Sequence, residues 1–191
     1  MARELTRAEL EAGLPAILES PSDEGRIDGI VIRPAPGQRQ ELDSTEVSLA
    51  GGTHGDHWAL GCWMSTEDGK PHPDVQICIM NSRCIALIAQ ERDRWKLSGD
   101  NLFIDMDLRP ENLAPGQRLA VGSAVLEITE VPHNGCESFV ERFGRAAVVF
   151  VNNPRGKSLR LRGVYARVVR DGRISVGDAV TKIGQECDAA E

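Results

Sequence analysis

Aromatic side chains are scarce in this chain: four Phe, three Trp and one Tyr make up 4% of 191 residues. Proteins that hold single-stranded nucleic acid stack its bases on such rings, and duplexes attract basic surfaces. With few rings and a net charge of −7, nucleic acid is a poor partner. Long apolar runs are missing as well. The longest, Ala146–Val151, falls far short of the roughly 18 residues a membrane span needs. The opening MARELTRAEL mixes charged with apolar residues and lacks a secretory core segment. Neither membrane insertion nor export is expected. The five cysteines, Cys62, Cys78, Cys84, Cys136 and Cys187, are an odd number without a CxxC pair. That argues against a disulfide framework or a zinc ribbon and for a reducing cytoplasm. GxxxxGK[ST], GxGxxG after a strand, and GxSxG are all absent, which excludes P-loop, Rossmann and α/β-hydrolase chemistry. The four lysines, Lys70, Lys96, Lys157 and Lys182, lie in polar contexts unsuited to a Schiff base.

Turn-forming residues are plentiful, with 19 Gly and 10 Pro. They predict many short strands in a chain of one-domain length. Thr6 and Glu9 form a capping box for a helix ending near Gly13–Pro15, within an N-terminal arm over 1–26 that closes at the polar cluster Ser20–Gly25. Strands are expected at Ile27–Arg33, Glu41–Leu49, Val75–Met80, near Leu102–Ile104, and in a hairpin of Arg118–Val121 and Ala124–Val131 turning at Gly122-Ser123. Val164–Val169, Ile174–Val176 and Val180–Ile183 complete the set. Helices are expected from Asn81 or Ser82 to about Asp93 and over Cys136–Phe143 with Gly144 as the stop; Arg145–Asn152 reads as a further helix or strand. Ala50–Pro73 is a long loop, and 184–191 an acidic tail. The expected fold is mainly β, a single domain over 27–183 in which a mixed antiparallel sheet closes on itself like a barrel, with a few short helices.

Charge is unevenly spread. Arg142–Arg173 holds nine basic residues against Asp171 alone. Eight of the nine are Arg, whose planar fork grips phosphate or carboxylate. Either this stretch holds a small anion, with Arg145, Arg160, Arg162 and Arg167 as candidates, or it is an exposed surface facing acidic parts of the same chain. Arg160 and Arg162 share a face if that stretch is extended.

Cys136 has the best chemical setting. It follows Pro132-His133-Asn134-Gly135 and opens a predicted helix, whose free N–H groups favour a thiolate. Arg142 and His133 would add positive charge beside it. Cys78 and Cys84 read as packing, Cys62 lies between Trp58 and Trp63, and Cys187 is in the tail. Gly99-Asp100-Asn101 is a place for backbone to approach a ligand, or simply a tight turn. His54, Asp56 and His57, joined by His72 or His133, offer a zinc or iron site. The alternative is that Asp56 caps backbone N–H groups and His57 packs on Trp58.

Five features stand in a telling order: Gly52-Thr53-His54-Gly55-Asp56, Gly99-Asp100-Asn101-Leu102 followed by Asn112–Gly116, the run LAVGSAVLEIT at Leu119–Thr129, Pro132…Cys136, and Arg162–Val169 with Gly172 and Gly177-Asp178. Together, across about residues 27–183, they resemble the MOSC domain. This module sits at the C-terminus of molybdenum cofactor sulfurases and also occurs as stand-alone bacterial proteins. The resemblance implies a β-barrel-like fold and association with molybdenum cofactor, a phosphate-bearing pterin with a dithiolene-bound metal. It implies that Cys136 matches the family's cysteine, a molybdenum ligand or a persulfide sulfur carrier, although His133-Asn134-Gly135 are inserted after the proline. His133, Asn134, Gly99, Asp100, Asn101 and the arginines above would then surround the cofactor. The sulfurases' pyridoxal-phosphate domain is not in this sequence, so a separate cysteine desulfurase or reductase is expected as partner. Any activity would be sulfur transfer or reductive detoxification of N-hydroxylated bases. Two other readings stay open: a non-catalytic anion-binding or partner-docking module, and a hydrolase using His54, Asp56 and His57.

Overall fold

β-Branched residues dominate the strand-forming runs, and the ladders they form close on themselves. A computed structural model describes residues 3–184. Its strands are β1 (Gly25–Ile32), β2 (Gln40–Leu42), β3 (Ser44–Ser48), β4 (Gly52–Thr53), β5 (Ile77–Asn81), β6 (Leu102–Asp105), β7 (Arg118–Val121), β8 (Ala124–Ile128), β9 (Val164–Arg170), β10 (Gly172–Ser175) and β11 (Ala179–Ile183). Seven of them run β11-β7-β8-β9-β5-β6-β1, and β1 returns to β11 through Gly25↔Val180 and Arg26↔Ala179. Closure leaves these seven without a free edge along their shared lengths. Only β5 and β6 pair in parallel, which requires a crossover between them. β2 extends β1, while β10, β3 and β4 form a small second sheet.

The period of two in β5 decides which layer each residue enters. Ile77 and Ile79 join the barrel interior with Ile27, Leu102, Leu119 and Leu126. Met80 faces the helical layer, and Cys78 joins Val75 and Tyr165 at one end of the barrel. The helical layer consists chiefly of α1 (Arg7–Leu18), α2 (Ser82–Ala89) and α3 (Glu137–Asn152), burying Leu10, Leu14, Ile85, Phe139 and Phe150; the short α4 (Pro154–Ser158) follows. Asn81 caps α2 by accepting from the Cys84 N–H at 2.9 Å.

Several boundaries differ from expectation, each for a local reason. The capping box at Thr6 and Glu9 forms, but α1 runs through Pro15 to Leu18. Proline removes one backbone bond, and burial of Ile17 beside Leu10 and Leu14 offsets that loss. α2 stops at Ala89, because Gln90 takes φ 64°, and a 3₁₀ stretch over Arg92–Ser98 follows. The predicted loop after Ala50 contains β4 and a 3₁₀ turn at His57–Leu60. Gly144 breaks the helical path, with φ 85° and ψ 166°, yet the chain resumes a second helical stretch immediately. The predicted tail after Gly184, with Cys187, lies outside the described residues.

Candidate functional site

The end of β1, the starts of β5 and β6, the residues after β8 and the start of β9 meet at one mouth of the barrel. Between them lies a cavity of about 550 Å3, within the usual range for small-molecule sites. Its floor is ionic. Arg33 grips Asp56 two-pronged, Nε to Oδ2 and Nη2 to Oδ1 both at 2.9 Å, and donates to the carbonyl oxygen of Gly99 at 3.1 Å. Asn101 fixes the arrangement by donating to Asp56 Oδ2 at 3.0 Å and accepting from the Cys78 N–H at 3.0 Å. Burial works against ionisation of Asp56, and the Arg33 guanidinium overrides it, so the carboxyl lies below its ordinary range.

A second pair lies beside the first. Arg162 Nη1 is 2.8 Å from both Asp100 oxygens, its Nη2 donates to the Ser98 carbonyl at 3.0 Å, and the Ser98 hydroxyl donates to Asp100 at 2.7 Å. The Arg162 side chain is 6% exposed and that of Asp100 0%. Asp100 is likewise held below the carboxylate range: burial opposes ionisation, while Arg162 and the Ser98 hydroxyl favour it. Cys78 lies between the two pairs, its Sγ 3.6 Å from Arg33 Nη1. Burial pushes this thiol up against the pull of Arg33. Cys78 packs as expected, and it also lines the cavity, which its apolar strand context did not signal.

Above the floor, two guanidiniums converge on Gly99. A Cβ added there would stand 3.9 Å from Arg39 Nη2 and 4.0 Å from Arg142 Nη1. Gly99 has φ 89°, in the left-handed region that a side chain makes costly. Arg39 and Arg142 form no ion pair among the described residues: Arg142 donates to the Leu97 carbonyl, Arg39 to that of Gln38. Burial together with Arg142 and Arg33 pushes the Arg39 guanidinium down, and Asp56 opposes the shift only in part. The opposite wall is aromatic, with Trp58, Trp63 and Tyr165.

Cys136 lines this cavity, is exposed, and caps α3 as its N-cap residue. His133 and Asn134 border it too, but His133 supplies no positive charge. Its side chain is 5% exposed, its ring lies 4.3 Å from that of Tyr165, and burial with the nearby Arg162 takes it down to about 3. Of the two cations expected beside Cys136, only Arg142 keeps its charge, and it lines the same cavity.

The basic segment divides. Arg142 and Arg162 serve the large cavity. Arg160 does not share an extended face with Arg162: φ 49° turns the chain, and its Nη1 donates to the carbonyls of Leu113 and Leu108. Arg145 is exposed and borders neither this cavity nor the smaller one beside it. Arg167 lies outside both, paired with Glu127 and Asp74, and Arg173 pairs with Glu46. Of the expected metal set, His54 is exposed and off the cavity, while His57 lines it. Asp56 is engaged by Arg33, Asn101 and the N–H of Trp58, the capping role of the alternative reading. Among the described residues no group of three or more His, Cys, Asp or Glu is arranged to hold a metal ion.

His133 gives a pH prediction. In the folded chain it takes up a proton only near pH 3, whereas unfolded it does so near about 6.5. Between those values the unfolded state binds more protons, so stability falls as pH drops through this window and is unaffected above it. A slope approaching about 1.4 kcal/mol per pH unit is expected between pH 6 and 4. His133→Phe should flatten that slope in urea melts; an equal slope in the variant would assign it to other groups.

The family model described as the MOSC domain matches residues 53–181. Structural likeness is broader. YuaD from Bacillus subtilis superposes with a TM-score of 0.58 at 19% identity, over 82% of this chain and 93% of that one. YiiM from Escherichia coli gives 0.54 at 17% identity, over 85% and 72% of the two chains. YiiM from Geobacillus stearothermophilus gives 0.56 at 15%, over 87% and 79%. No curated protein matches the chain in sequence. No helix among the described residues is long and apolar enough to cross a membrane. A match over most of the chain, on a closed barrel with this mouth, places the protein in the MOSC domain family.

Proposed function

We propose that this chain acts as a stand-alone MOSC protein that binds molybdenum cofactor in the larger cavity. The observation that carries the reading is the pair of guanidiniums, Arg39 and Arg142, meeting over Gly99 with carbonyl partners and no salt bridge to a carboxylate among the described residues. A phosphate there supplies the missing negative charge, and Arg39 Nε, buried without a partner, gains an acceptor. The residues also fit the rest of the group. Trp58, Trp63 and Tyr165 offer flat apolar surface to a pterin ring, and Cys136 offers a soft sulfur ligand to molybdenum. When bound, the cofactor supplies the redox chemistry. The chain positions it: arginines hold the phosphate, the two buried ion pairs fix the floor, and Trp63, 70% exposed, stands at the mouth.

The test is metal and pterin analysis of protein expressed in a host that makes the cofactor. Wild type should retain pterin, and Arg39→Ala should lose at least about tenfold of it, the contribution of a charge-assisted bond. Equal retention by the variant would place the phosphate elsewhere. The exposure of Cys136 favours a second reading, a persulfide received from a separate cysteine desulfurase. It replaces the first if wild type carries no pterin but holds cyanide-releasable sulfur that Cys136→Ala lacks.

A further inference from the structure

A smaller cavity of about 380 Å3 lies on the other side of the Pro132–Asn134 turn, with His133 and Arg162 bordering both. Lys157 and Arg160 add two cations at its walls, and Glu130 is the one acidic residue lining it. Lys157 is exposed, and its ammonium has no ion-pair or hydrogen-bond partner among the described residues. Arg160 is part-buried and commits only Nη1, to carbonyl oxygens, leaving the rest of its fork unused. Burial pushes this guanidinium down, and only Glu111 opposes the shift. Arg160 also holds φ 49°, a left-handed backbone that is costly for a non-glycine residue. Two buried nitrogens at this wall lack hydrogen-bond partners, Arg162 Nε and His133 Nδ1. Arg162 spends Nη1 on Asp100 and one Nη2 N–H on Ser98, and its Nε is left without a partner.

We infer that this smaller cavity is a second ligand site, taking the phosphate group of a small anionic molecule between Lys157, Arg160 and Arg162. A phosphate has three acceptor oxygens to meet these donors, and its charge matches an excess of cations on the lining. Carboxylates are a poorer match, with fewer acceptors and less charge. The two cavities share Arg162 and His133, but Arg39 and Arg142, the cations proposed for the larger one, do not border this one.

The experiment is a calorimetric titration of inorganic phosphate into cofactor-free protein carrying Arg39→Ala, which disables the larger cavity's anion cradle. Saturable binding should persist in this variant. Adding Lys157→Ala should weaken it about tenfold or more, as loss of a charge-assisted bond does. Adding Glu130→Gln instead should tighten it, because a repelling charge is removed. Both side chains are exposed, so neither change endangers the fold. Absence of saturable binding in Arg39→Ala would overturn the proposal, as would affinity insensitive to Lys157 and Glu130.

Discussion

Asp100→Ala is expected to destabilise the folded chain by about 3–5 kcal/mol, the usual consequence of removing one partner of a buried ion pair. Arg162 cannot recover by reaching water, since its side chain is 6% exposed and two of its nitrogens are held in place by Asp100 and Ser98. The Ser98 hydroxyl would lose its acceptor as well. Against a total stability of about 5–15 kcal/mol, the loss is large enough to threaten folding. In a chain of this size it should lower Tm by on the order of 10 °C. Urea melts give the measurement. The double variant Asp100→Leu/Arg162→Met removes both charges and should recover at least half the loss, because no charge is then left unpaired in an apolar site. A cost below about 1 kcal/mol for Asp100→Ala would show that water or another group takes over the carboxylate's role.

The same two ion pairs mark the limit of what the sequence discloses. Strands and hairpins follow from local pattern: the apolar run Ile27–Arg33 stopped by Pro34, the turn at Gly122-Ser123, the β-branched run Val164–Val169. All reappear within a few residues in β1, the β7–β8 hairpin and β9. The Gly99-Asp100-Asn101 turn and Cys136 were identifiable as site candidates because glycine and a helix start are local signals. Arg33 and Arg39 carried no such signal. Their role comes from long-range closure, which brings the end of β1 to the start of β6 through the register Ile30↔Leu102. The basic segment misleads for the same reason. Nine cations close in sequence do not lie close in space when α3, α4 and β9 point them to different sides. Arg155 and Arg173 meet acids from elements far away in the chain, Glu11 and Glu46. Cys78 reads as core because its strand does; only the layer that its face enters makes it part of the cavity.

Cys136→Ser is expected to separate stability from function most sharply. The thiol makes no cap bond, and the capping contacts at this position come from its carbonyl oxygen, which accepts from the N–H groups of Phe139 and Val140. Serine at an N-cap adds an acceptor for a free helix N–H, worth about 0.5–1 kcal/mol. Thermal stability should therefore stay level or rise by a few degrees. Metal content should change in the opposite sense. A hydroxyl is a hard, protonated group at neutral pH and a poor substitute for a thiolate toward molybdenum, so if the larger cavity holds molybdenum cofactor as proposed, the variant should lose nearly all of the metal. Pterin should be lost less completely, because the proposed phosphate contacts, Arg39 and Arg142, stand at a different point of the cavity, over Gly99. Parallel metal and pterin analysis of Cys136→Ser and Arg39→Ala tests this: the first should lose metal more than pterin, the second both together. Full molybdenum retention in Cys136→Ser would remove this thiol from the coordination sphere and turn attention to Cys78, the buried sulfur beside Arg33 on the cavity floor.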